Sequence, residues 1–111
     1  MQTTNIQNPA LTTNLPTSIT QVIPTPAAST GRIVSCISFA NKSGGNVTVQ
    51  VTVYNGTTDF YVAFNTVIAA GDTLVLGGGN LKITLTNGFS MRALCNTSSA
   101  VDVVACYTDF T

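Results

Sequence analysis

The stretch Val47-Thr48-Val49-Gln50-Val51-Thr52-Val53-Tyr54 decides the fold. Four valines alternate with Thr, Gln, Thr and Tyr, and a side-chain period of two sets the valines on one face of a β-strand. Asn55-Gly56-Thr57-Thr58-Asp59 follows, and Asn-Gly accepts the positive φ that a tight hairpin turn demands. Residues 60–68 then return as a strand rich in aromatic and β-branched residues. Ala70-Gly71-Asp72 turns again into Thr73-Leu74-Val75-Leu76.

Working outward, residues 32–41 (RIVSCISFAN) are apolar on both faces for much of their length, which predicts a central strand. Lys42-Ser43-Gly44-Gly45-Asn46 reads as a hairpin loop. Beyond Leu76, Gly77-Gly78-Gly79-Asn80 reads as a flexible corner. Leu81, Ile83 and Leu85 then alternate with Lys82, Thr84 and Thr86. Asn87-Gly88 is a second turn signal, residues 89–95 return, Asn96-Thr97-Ser98-Ser99 turns, and residues 100–110 close the sheet. Strands at about ten-residue spacing with Gly/Asn loops predict an all-β fold. The expected architecture is a single antiparallel β-sandwich, jelly-roll or immunoglobulin-like, with seven to eight strands over residues 31–111.

Residues 1–30 are of another kind. They are rich in Gln, Thr and Asn, carry no charge before position 32, and hold all four prolines (Pro9, Pro16, Pro24, Pro26). Their apolar residues are too scattered for a helix face, so residues 1–30 read as an extended arm, with an edge strand over 18–23 where flanking proline is tolerated. The apolar anchors of that arm are Ile6, Leu11, Leu15, Ile19, Val22 and Ile23, expected to face a neighbouring subunit.

Composition excludes several function classes. Only 7% of the 111 residues are charged, against roughly 25% in an average soluble domain. Arg32, Lys42, Lys82 and Arg92 are dispersed, so the clustered cations of a nucleic-acid binder are missing. No apolar run approaches the ~18 residues of a membrane-spanning helix. Yet 44% of residues are hydrophobic and mean hydropathy is +0.35, which demands a buried core or an interface. A neutral hydroxyl-and-amide surface gives little colloidal repulsion and suits a chain packed against other subunits. The first five residues lack the basic start and apolar run of a secretory signal, so folding in a cytoplasm is expected.

Catalysis finds little to work with. His and Glu are absent, which removes Ser-His-Asp and Cys-His arrangements. Asp102 and Asp109 are seven positions apart, on opposite faces of a strand and about 23 Å apart at ~3.3 Å per residue. The glycine run lacks the Lys-Ser/Thr and the helix of a phosphate loop. Cys36, Cys95 and Cys106 include no Cys-x-x-Cys pair, so no catalytic, metal or cofactor residues are assigned. They read as buried thiols, with a disulfide between Cys95 and Cys106 across a hairpin as the lesser alternative. Tyr54 and Tyr61 flank the Asn55–Asp59 turn and are candidates for an aromatic sugar platform, weighed against packed rings with only the hydroxyls wet.

Several stretches carry a resemblance to a known family: Gly31-Arg32-Ile33-Val34, Phe39-Ala40-Asn41-Lys42-Ser43-Gly44 leading to Val47-Thr48-Val49, Val67-Ile68-Ala69-Ala70-Gly71-Asp72-Thr73-Leu74, and Ser98-Ser99-Ala100-Val101-Asp102-Val103-Val104. Over about two-thirds of its length the chain resembles small virion proteins of tailed bacteriophages. Where that family usually has an acidic Glu-Ala-Gly-Asp type turn, this chain has Thr86-Asn87-Gly88-Phe89. The resemblance implies a non-enzymatic structural component of head, neck or tail. Taken with the composition, the expectation is a capsid decoration (cement) protein, homotrimeric, bound to the major capsid protein and to its own copies on a virion assembled in the host cytoplasm. The alternatives are a neck or tail accessory subunit, or a glycan- or receptor-binding module.

Overall fold

The computed structural model describes residues 6–77 and 82–110. Among these residues nine strands run in order: β1 (Ile6–Thr12), β2 (Thr20–Ile23), β3 (Gly31–Asn41), β4 (Val47–Tyr54), β5 (Asp59–Ile68), β6 (Thr73–Gly77), β7 (Ile83–Leu85), β8 (Ser90–Cys95) and β9 (Val101–Phe110). They form two antiparallel sheets. One has the order β1-β9-β3-β6, with β7 also on β3; the other has the order β2-β8-β4-β5. This is a jelly-roll sandwich, the first of the two expected architectures.

Its connections are mostly crossovers. Among the described residues only β4 and β5 are both consecutive and hydrogen-bonded to each other. Their turn has Gly56 at φ 94°, and Asn55 Oδ1 accepts from the backbone N–H groups of Thr57 and Thr58. The loop at residues 42–46, expected to close a hairpin, instead carries the chain from β3 in one sheet to β4 in the other. Residues 69–72, 86–89 and 96–100 make the same kind of passage. Gly and Asn release the chain from a strand in either case, so turn chemistry does not report which sheet receives it. Of the expected glycine corner, Gly77 ends β6 at φ 108°; residues 78–81 lie outside the described residues.

The segment read as an arm supplies β1 and β2. β1 pairs along β9 from Ile6↔Asp109 to Thr12↔Val103, and β2 pairs with β8. Pro9 sits inside β1 without breaking the sheet, because an edge strand needs donors on one side only. Between these strands Leu15 is fully buried, and its N–H donates to the Val101 carbonyl at 2.7 Å.

The valine alternation works as its period predicts. Val47, Val49 and Val51 are buried between the sheets with Ile37, Phe39, Leu85, Met91, Val101, Val103 and Ala105. At one end of the sandwich, buried Asn41 donates Nδ2 to the carbonyls of Gly45 and Ile68, and its Oδ1 accepts from Ser43. A buried amide so satisfied fixes the β3–β4 passage at little net cost.

Candidate interaction surfaces

Inward-pointing residues of β9 (Val101, Val103, Ala105) alternate with outward-pointing Asp102, Val104 and Cys106. The register aligns these with their neighbours on the outer face of the sheet. Leu11 lies opposite Val104, Val104 opposite Ser38, and Ser38 opposite Val75. That row crosses four strands, about 14 Å at the usual spacing. Leu11 is 71% exposed, Val75 58% and Val104 43%. The next row, Pro9–Cys106–Cys36–Gly77, is made of small side chains. Neither of these two rows contains a charged side chain, and charge appears at one margin. There Lys42 Nζ lies 3.0 Å from Asp102, whose carboxylate also accepts from Asn14 N–H and the Thr13 hydroxyl. The Asn14 backbone bond first, then Lys42, holds the Asp102 carboxyl below the usual carboxylate range.

A second set of exposed apolar side chains lies on β5, in the other sheet, with Phe60 and Tyr61 alternating to opposite sides of the strand. Phe60, Tyr61, Phe64 and Val67 are all more than half exposed. Tyr61 and Phe64 pack edge to face with ring centroids 4.9 Å apart. The β4–β5 register shifts on either side of Val51, and Asn65 takes φ 50° with its Oδ1 accepting from Gln50. β5 ends its sheet, so its outer backbone edge faces solvent beside these rings.

Charge has been gathered elsewhere. Arg92 pairs with Asp59 through two hydrogen bonds and stacks 3.7 Å above the Tyr54 ring, while Thr52 Oγ1 donates to Asp59 at 2.8 Å. The Arg92 guanidinium keeps the Asp59 carboxyl below its ordinary value. The same triad recurs in the other sheet as Arg32, Asp109 and Tyr107. Of four cations and four aspartates, three of each are thereby paired within the chain. The Tyr54 ring lies under Arg92 and Tyr61 leans on Phe64, so the two tyrosines do not form one open platform.

The six arm residues divide. Leu15, Val22 and Ile23 are core residues of this chain's own sandwich, whereas Leu11 is exposed and Ile19 is 38% exposed. The Ile6 backbone stands opposite Asp109, and its side chain lies outside the described residues. Phe60, Phe64, Val67, Val75 and Val104 were not anticipated as surface residues. The available signal was the missing polar alternation in β5, which is apolar on both faces yet lies at a sheet edge. The expected cross-hairpin neighbours Cys95 and Cys106 are in different sheets. Cys106 stands opposite Cys36, and buried Cys95 directs its Sγ at the Leu15 and Thr97 carbonyls.

No protein-family model matches the sequence, and neither does any curated protein. Solved structures share the fold. A subunit of Bacillus endospore appendages, described as disulfide-linked pili, is similar at TM-score 0.53 and 16% identity over 99% of this chain and 89% of that one. The virus-like particle protein of the extra small virus of the giant freshwater prawn Macrobrachium rosenbergii is similar at TM-score 0.53 and 9% identity, over 99% and 80%. At these identities the likeness is one of fold.

Proposed function

We propose that this chain is a non-enzymatic virion structural subunit that packs against its own copies and decorates the assembled head. The observation that carries this reading is the pair of exposed apolar surfaces on opposite sheets, in a chain whose charges are mostly paired internally. Clustered exposed apolar side chains of this kind favour an interaction site. The resemblance to small virion proteins of tailed phages supplies the setting, and aspartates locked in ion pairs favour a structural role over a catalytic one. A subunit that binds only the assembled shell stabilises it by mass action.

The anchors in this reading are Leu11, Val75 and Val104 on one sheet and Phe60, Tyr61, Phe64 and Val67 on the other. The test adds purified chain to heads assembled from the major capsid protein and follows co-sedimentation and thermal disruption. Saturable binding and a raised disruption temperature are expected, both lost with Leu11→Ser and Val104→Ser. Heads that neither bind the wild-type chain nor gain stability would overturn the decoration role.

A second reading rests on where the two surfaces lie. A contact between unlike patches is heterologous, so it closes into a ring such as a trimer or continues as a filament. Electron microscopy of the concentrated protein separates a ring, as in a capsid or neck accessory, from an open fibre.

A further inference from the structure

Cys36 on β3 and Cys106 on β9 stand directly opposite each other in the antiparallel register, both partly exposed on the outward face of their sheet. Opposed residues in such a pair have Cα atoms about 4.5 or 5.5 Å apart, and either value falls in the ~4.4–6.8 Å range of disulfides. Their surroundings favour joining them. Ser35 is the extra residue of a β-bulge beside Cys36, since Val34 pairs with Tyr107 and Cys36 with Cys106, and a bulge adds local twist. On the other side of Cys36 lies Gly77, which has no side chain. Next to Cys106 lies Pro9. Each of the two thiols therefore has the other as its only sulfur neighbour along the row.

We propose that Cys36 and Cys106 form a reversible cross-strand disulfide that clamps β3 to β9 when the protein leaves a reducing compartment. The oxidant is a low-molecular-weight disulfide such as oxidised glutathione. One cysteine thiolate attacks a glutathione sulfur, the S–S bond breaks, and one glutathione thiolate leaves. The second cysteine loses its proton and attacks the protein sulfur of that mixed disulfide, releasing the second glutathione. The protein loses two protons and two electrons, and the glutathione disulfide takes up both to become two thiols. Burial and the neighbouring Cys106 push the Cys36 thiol up, so exchange quickens as pH rises above neutral. Cys95, fully buried with its Sγ on backbone carbonyls, stays out of the exchange. The clamp needs only the fold and is independent of what docks on this face.

The test treats the reduced, folded protein with oxidised glutathione at mildly alkaline pH, then labels remaining thiols with N-ethylmaleimide in denaturant. Intact mass and fragmentation of tryptic peptides follow. Cleavage at Arg32, Lys42 and Arg92 frees Cys36 on residues 33–42 and leaves Cys95 with Cys106 on residues 93–111. Expected are a 33–42/93–111 crosslink through Cys106, one label on Cys95, and an unfolding midpoint higher by roughly 10 °C. Cys106→Ser should instead stop at a glutathione adduct on Cys36. Three labelled cysteines, a bridge to Cys95, or a disulfide between two chains would overturn the proposal.

Discussion

Arg32 and Asp109 meet across β3 and β9 as directly opposed residues, Nε to Oδ1 at 2.7 Å and Nη2 to Oδ2 at 3.0 Å. The guanidinium also donates to the Pro24 carbonyl and covers the Tyr107 ring at 4.1 Å, with the residue 8% exposed. One side chain thus ties the loop after β2 to the two central strands. Lysine keeps the charge but loses the two-pronged fork and the flat stacking surface. Arg32→Lys should cost about 1–2 kcal/mol, the worth of a charge-assisted hydrogen bond, read as a lower urea midpoint at unchanged slope.

Leu15 and Leu11 lie close in sequence and face opposite ways. Leu15→Ala should destabilise by about 3 kcal/mol, as a buried leucine does on truncation. Leu11→Ala should stay within about 0.5 kcal/mol while weakening association, because an exposed side chain leaves no cavity. Paired urea melts and sedimentation of the two variants check both outcomes.

Acid should destabilise the protein in a defined window. The folded-state carboxyls of Asp59 and Asp102 titrate below their ordinary value, held there chiefly by Arg92 and by the Asn14 N–H. The stability they add is therefore present above about pH 3.9, the unfolded-chain value, and is lost as pH falls through the lower folded values. Melting temperature should be flat near neutrality and drop below about pH 4. Asp59→Asn should flatten part of that drop.

Gly77 takes φ 108°, and a Cβ placed there would lie 2.5 Å from the Ser35 carbonyl oxygen and 2.9 Å from Cys36 Cα. Both obstacles are backbone in the β3 bulge and do not swing aside. Gly77→Ala should cost more than about 1 kcal/mol, from strain in φ and displacement of β6, in the same urea assay.

Local pattern announced the strands, and it did so where a residue's environment is set by its near neighbours. The valines of β4 and the Asn55-Gly56 turn are read directly from their spacing. The jelly roll itself was visible only as one of two architectures, because its pairings, such as β1 with β9, join residues about a hundred positions apart. Leu15, Val22 and Ile23 gave no periodic signal: Leu15 lies between strands and β2 has only four residues. Their burial follows from the sandwich closing over them, as does the meeting of Cys36 with Cys106. The β5 aromatics resemble a core strand in composition, and only the topology leaves them at an edge.

The exposed apolar side chains of the two sheets are the proposed contact surfaces for copies of this chain. Sedimentation velocity of the reduced protein at rising concentration, beside Val104→Asp and Phe64→Asp, tests this most directly. Concentration-dependent oligomers that either substitution abolishes while leaving the fold intact are expected. A wild-type chain that stays monomeric up to its solubility limit, or oligomers indifferent to both changes, would contradict it.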